Sequence, residues 1–430
     1  MKRYTIFFFI SFLSLQVFAN TEKSIIAVGE AELEKLQVFI SGPFNSEGKS
    51  LSHQKWLRET FVSNFKFYQK YFEVSSSDFD LVKPEGFKGT FIKIEVNNSN
   101  QLQVLFHQEN GEKFQITSEQ VLSQNSESDR SYVHEISHDI YKRLTGKSSI
   151  FKSRIFSVCE TKKVGRDAIK ELFVMDFDGK RRRQLTRHNG LVISPAASVD
   201  GRKVIYSLIN DQAKRRNINL HLFDLKTRKS EIISSRKGIN SGAVFLPGGK
   251  EIYLTLSHRG NADIFKLNLA TKNLTPITGH YALDVDPSIS YDGRLITFLS
   301  DRPGKPMIYT MDPSMKEKNV KRISFVGKYN ATPRFSPDGK EIVFSSWLDS
   351  RFDLFRIGSD GSNLVRLTKD FGSNEDPTYS VDGEFIAFSS QRVITSRKAV
   401  QVLYIMDRDG KIIGNITPND ENCISPRWTN

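Results

Sequence analysis

Pro333-Arg-Phe-Ser-Pro-Asp338-Gly339-Lys-Glu341-Ile-Val-Phe344 is one copy of a pattern that recurs through the second half of the chain. Other copies are Pro195-x-x-x-x-Asp200-Gly201, Pro287-Ser-Ile-Ser-Tyr-Asp292-Gly293 and Pro377-Thr-Tyr-Ser-Val-Asp382-Gly383, and Phe245-Leu-Pro247-Gly248-Gly249 is a degenerate one. The turn glycines stand at 201, 249, 293, 339 and 383, a period of about 45 residues. Asp-Gly supplies the positive φ of a tight hairpin, and a strand such as Val204–Ser207 or Phe385–Phe388 follows each time. A third strand comes next, six times in all: Leu172–Asp176, His221–Asp224, Asp263–Lys266, Ile308–Asp312, Asp353–Arg356 and Leu403–Asp407. Short outer strands such as Arg183–Thr186 and Val365–Thr368 close the units.

Four short strands at this period make a propeller blade, because neighbouring apolar faces leave water only by stacking. The strand at Arg154–Val158 has no inner strand before it, whereas Ser425-Pro426-Arg427-Trp428 matches the innermost position. The C-terminal strand should therefore pair with the strand at Arg154 and close a six-bladed β-propeller of residues 151–430. Repeat alignment sets Cys159 opposite Cys423 across that seam. Two outcomes stay open there, a disulfide locking the ring or two reduced, partly buried thiols.

The chain has 430 residues, a net charge of +13 and two Cys, which excludes a disulfide-rich scaffold and a four-cysteine zinc site. Residues 1–19 read as a cleaved export signal, with Lys2 and Arg3 before an apolar run and Val17-Phe18-Ala19 at its end. The mature chain is expected to be soluble outside the cytoplasm, which argues against a nucleic-acid partner. The basic excess lies in residues 151–430, partly in Arg181-Arg182-Arg183 and Lys214-Arg215-Arg216, runs that read as solvated turn tips or as attraction to an anionic envelope.

Residues 20–146 do not repeat and read as an α/β domain, followed by a linker at 147–150. Leu36–Ile40, Phe91–Val96, Leu102–Phe106 and Phe114–Ile116 are expected as strands, and Ser52–Phe72 and Asp129–Leu144 as helices. The second helix spells His134-Glu135-Ile-Ser-His138, the HExxH spacing of zinc peptidases. Asp139 and Tyr141 depart from that pattern, and a solvent-facing His pair beside the stripe Val133, Ile136, Ile140, Leu144 is the reading preferred here. No nucleophile elbow, phosphate loop or EF-hand spacing occurs. Asp284, Asp286, Glu375 and Asp376 precede inner strands, in loops that form one rim of a propeller channel; they cap strand ends or contact a partner.

An exported α/β domain, then Tyr141-Lys-Arg-Leu-Thr-Gly146 and Phe151-Lys-Ser-Arg-Ile155, then six blades of this type resemble the TolB family of periplasmic Tol–Pal proteins. The resemblance covers essentially the whole mature chain. It implies a monomeric, non-enzymatic, cofactor-free adaptor serving envelope integrity and outer-membrane constriction at division. A Pal-like peptidoglycan-associated lipoprotein would bind the rim, here His188, Asn189, Asn240, His280, Asp284, Asp286, Asn330, Asn374, Glu375 and Asp376. A TolA-like inner-membrane protein would engage the tail Asn20, Thr21, Glu22, Lys23, Ser24, Ile25, Ile26, Ala27, Val28 and Gly29. The competing readings are a zinc peptidase, told apart by bound metal, and a cell-wall glycan-binding propeller, told apart by pull-down with cell wall.

Overall fold

The computed structural model describes residues 35–77, 87–108, 110–123, 126–164, 167–209, 217–315, 317–395 and 398–429. The export signal, the tail Asn20–Gly29 and the basic run at 214–216 lie outside the described residues. The chain forms two compact units: residues up to Asn98 with Gln103–Thr117, and Ser99–Leu102 with Ser118–Asn430. Each is treated by itself.

In the first unit Leu36–Asn45 pairs in parallel with both Phe72–Ser77 and Thr90–Val96. The sheet continues through Gln101–His107 to Lys113–Val121. A parallel pair needs a crossover, and helix α1, Trp56–Phe67, provides it, burying Leu57, Phe61 and Phe65. The helix is shorter than its aromatic spacing suggests. It ends at Tyr68, and Phe72, expected as its last residue, opens the strand Phe72–Ser77.

Helix α2, Ser126–Thr145, belongs to the second unit and buries Val133, Ile136 and Ile140 of the expected stripe, while Leu144 at its last turn is only half-buried. The rest of that unit is a β-propeller built from four-stranded antiparallel blades. The inner strands are Leu191–Ala197, Asn240–Phe245, Asp284–Ile289, Asn330–Phe335 and Ser373–Tyr379, with Cys423–Thr429 paired against Arg154–Val164. Cys159 faces Cys423 in that register, and the two are joined by a disulfide with Cα atoms 4.1 Å apart. The blade of Arg154–Val164 is joined to the next by one parallel bridge, Lys170 opposite Leu191.

The core lies between blades rather than at one centre. Phe156, Val158 and Leu172 meet Val204 and Tyr206 in one layer, and Ile205 and Leu220 meet Ile252, Leu254 and Phe265 in the next. Two turn devices repeat. Ser336 donates from its hydroxyl to Asp338 Oδ1 (2.5 Å) and accepts from the Glu341 amide (3.0 Å), while the Gly339 amide donates to the Ser336 carbonyl (2.9 Å). Ser198, Ser290 and Ser380 repeat this geometry, which is why Ser, Asp and Gly recur at that spacing. In the other device, a turn glycine leans on the outer strand of the preceding blade. Gly361 approaches Ile323, Gly410 approaches the Leu367 carbonyl, and Gly179 approaches the Ile416 carbonyl.

Candidate functional site

Each inner strand breaks its register at one place, and the residue there takes a positive φ of 49 to 56°: Ser194, Gly242, Asp286, Thr332, Asp376 and Ser425. In five of the six the next residue is Pro, which has no N–H for the ladder, so the strand bulges there. The degenerate blade has Ala243 in place of Pro and meets the same backbone demand with Gly242.

All six bulge residues line one cavity of about 330 Å³ in the propeller channel. Its walls also carry Ile239, Val285, Leu299 and Tyr329, together with Arg334 and Arg427. Arg334 Nη2 donates to Asp286 Oδ1 at 2.9 Å, and the Ser425 hydroxyl donates to Asp376 Oδ2 at 2.7 Å. Glu375, beside Asp376, is half-buried; desolvation first, and then the Asp376 charge, push its carboxyl up to about 7. Sequence reading selected the acidic members of this ring and missed both arginines. The only signal was that each directly follows the bulge proline, in Pro333-Arg334-Phe335 and Pro426-Arg427-Trp428.

The remaining rim candidates divide by burial. Asn240, Asp284, Asn330 and Asn374 lie inside the inner strands rather than in the loops before them, where they were expected; they are fully buried and hold the preceding loops in shape. Asn240 Nδ2 donates to the Arg236 carbonyl at 2.6 Å, and its Oδ1 accepts from the Ser234 hydroxyl, also at 2.6 Å. Asn330 Nδ2 donates to the Val326 carbonyl (3.0 Å), and Asn374 Nδ2 to Thr368 Oγ1 (3.2 Å). Asp284 Oδ2 accepts from Arg302 Nη2 at 2.6 Å, and the same nitrogen reaches Glu317 Oε1 at 2.8 Å. Burial nonetheless pushes the Asp284 carboxyl up. His188 is half-buried, its Nε2 2.7 Å from the Tyr206 hydroxyl, while Asn189 is exposed and His280 half-buried.

Exposed aromatic side chains that the sequence reading did not select sit in or beside these loops. Tyr281, next to His280, is 85 % exposed, and Phe325, five residues before Asn330, is 71 % exposed. Tyr329 and Trp347 both pack edge-on against Phe352, with ring centroids 5.9 and 5.0 Å apart.

The HExxH residues do not converge as peptidase ligands would. His138 Nδ1 lies 2.9 Å from the Ser149 hydroxyl, Glu135 is exposed, and His134 is buried edge-on to Phe177. Among the described residues the groups that gather round His134 within 4.8 Å are Asp176 and Asp178. Both carboxylates already hold guanidinium groups, Asp176 that of Arg181 in a two-pronged pair (2.7 and 2.9 Å) and Asp178 that of Arg130. Among those residues no helix is long and apolar enough to cross a membrane.

Comparison with known proteins agrees with this architecture. The sequence profile of the family described as "TolB beta propeller domain" matches residues 141–430. A protein named "Tol-Pal system protein TolB" from Francisella tularensis subsp. holarctica is 29 % identical over 309 residues, covering 70 % of this chain and 69 % of its own length. Its counterpart from subsp. mediasiatica is 28 % identical over 309 residues, covering 70 % and 69 %. The crystal structure of TolB from Acinetobacter baumannii superposes with a TM-score of 0.74 over 93 % of this chain and 97 % of that one, at 22 % identity, and so shares the fold. The chain therefore belongs to the TolB beta-propeller family.

Proposed function

We propose that this chain is a periplasmic, non-enzymatic adaptor of a Tol–Pal system, working as a six-bladed ring sealed between its last strand and Arg154–Val164. The observation that carries the reading is the family membership of the propeller, whose relatives bear the Tol–Pal name. The Cys159–Cys423 bond and the lean of Gly179 on Ile416 support the seal. A partner matching a Pal-like lipoprotein would dock on the channel rim. There the exposed Asn189, Tyr281, Phe325 and Tyr329 offer contact, and the buried Asn240, Asp284, Asn330 and Asn374 hold the loops that present them. Large aromatic side chains at a rim provide contact area at low entropic cost. A TolA-like protein would engage the tail Asn20–Gly29.

Co-purification from cell envelopes tests both docking sites. Deleting residues 20–29 should remove the inner-membrane partner and leave the lipoprotein, whereas Tyr281→Ala with Phe325→Ala should weaken the lipoprotein at least tenfold and leave the other. Loss of both partners in either variant, or of neither, sinks the two-site reading.

A further inference from the structure

Arg334 and Arg427 occupy equivalent positions in their blades, one residue after the bulge proline. Each donates Nη1 to the carbonyl of its own proline at 2.7 Å. There the likeness stops. Arg334 turns Nη2 to Asp286, the bulge residue of the preceding blade, at 2.9 Å. The corresponding partner for Arg427 is Asp376, but Asp376 Oδ2 accepts from the Ser425 hydroxyl instead. Among the described residues no carboxylate oxygen lies within 4.0 Å of the Arg427 guanidinium nitrogens. Yet Arg427 is only 8 % exposed and borders the channel cavity. A cation taken out of water without a paired anion is costly, and the repeat shows in Arg334 what the completed pair looks like. Burial, and then the Arg334 charge, pull the Arg427 guanidinium down to about 10, and the opposing charges of Asp376 and Asp286 offset this only in part.

We propose that the channel holds a built carboxylate site, in which Arg427 binds the carboxylate head of a ligand whose apolar stem lies along Ile239, Val285, Leu299 and Tyr329. The planar fork of a guanidinium matches a carboxylate. Asp286 and Asp376 on the same wall repel an anion in proportion to its charge, so a singly charged carboxylate is favoured over doubly charged sulfate or a phosphate ester. The cavity, at about 330 Å³, accommodates a group of that size. Such a head could come from a free short-chain carboxylic acid or from a glutamate side chain of a docking protein.

Titration calorimetry of the full mature protein at fixed ionic strength separates these. The probes are sodium butyrate, a capped tripeptide with one central glutamate, and sodium sulfate as control. Butyrate or the tripeptide should bind, with sulfate at least tenfold weaker. Binding of butyrate alone points to a free acid, and binding of the tripeptide alone or of both admits a partner's side chain. Arg427→Gln should weaken binding at least tenfold. Asp376→Asn, which removes a competing negative charge, should tighten it several-fold, and this variant carries the test if Arg427→Gln fails to fold. Absence of binding by both carboxylates, equal binding of sulfate, or no change in Asp376→Asn overturns the proposal.

Discussion

The Ser336 hydroxyl closes its hairpin from both sides, donating to Asp338 and accepting from the Glu341 amide. Ser336→Ala leaves a carboxylate and an amide short of a partner, so it should cost about 1–2 kcal/mol in urea unfolding. Ser380→Ala should cost a similar amount, because the bonds are the same. Glu375 acts in the opposite direction. Its folded pKa of about 7 lies above the value of an unfolded glutamate, so between about pH 4.5 and 7 the folded state holds more protons than the unfolded one. This group therefore subtracts stability as pH rises through that window. Glu375→Gln should flatten that fall; an unchanged slope of unfolding free energy against pH would contradict the assignment. At this scale the sequence was legible where a residue serves the backbone, as the Ser-x-Asp-Gly turns do. It was not where burial decides: Asn189 precedes an inner strand and Asn240 opens one, and only packing makes Asn240 internal and Asn189 exposed.

Turns within a blade, between third and outer strands at Gly179 and between second and third strands at Gly304, show how one element sets the next. Gly179 and Gly304 have almost the same φ, +81 and +82°, but a Cβ on Gly179 would lie 2.2 Å from the Ile416 carbonyl oxygen, whereas nothing stands within 4 Å of one on Gly304. Gly304→Ala should cost about 1–2 kcal/mol, from left-handed backbone strain alone. Gly179→Ala adds a backbone collision and should cost on the order of 2–4 kcal/mol, read by thermal unfolding of the two variants side by side. Strand periodicity made the blades readable because each short strand packs both faces against neighbours and is bounded by turn residues. In the first unit it misled: Tyr68, Tyr71 and Phe72 extend the aromatic spacing of α1, but the parallel pairing of Phe72–Ser77 with Leu36–Asn45 outweighs that local preference. The bulges were invisible because their direction follows from pairing across the sheet. With them the role of Arg334 and Arg427 stays hidden, although a Pro-Arg dipeptide stands in both strands.

For the whole propeller, the pairing of Cys423–Thr429 with Arg154–Val164 brings together segments 264 residues apart at the disulfide. A covalent tie over so long a loop restricts the unfolded chain strongly. Cys159→Ser with Cys423→Ser should therefore lower stability by about 2–5 kcal/mol, and reductant should do the same to the wild type while leaving the double variant unmoved. Trp428 adds its own anchor, donating from Nε1 to the Ser153 hydroxyl at 2.7 Å and stacking near Phe385 of the preceding blade. Its place at this seam could be read from the repeat count, since one blade lacked an inner strand and the chain's end offered a spare.

That seam also orders events in time. Cys423–Thr429 follows every other described strand in the chain, yet it fills a gap beside the strand that opens the propeller. The ring therefore stays open until residues 423–429 are in place, and a stop codon a few positions before 423 would remove the keystone while sparing every other described strand.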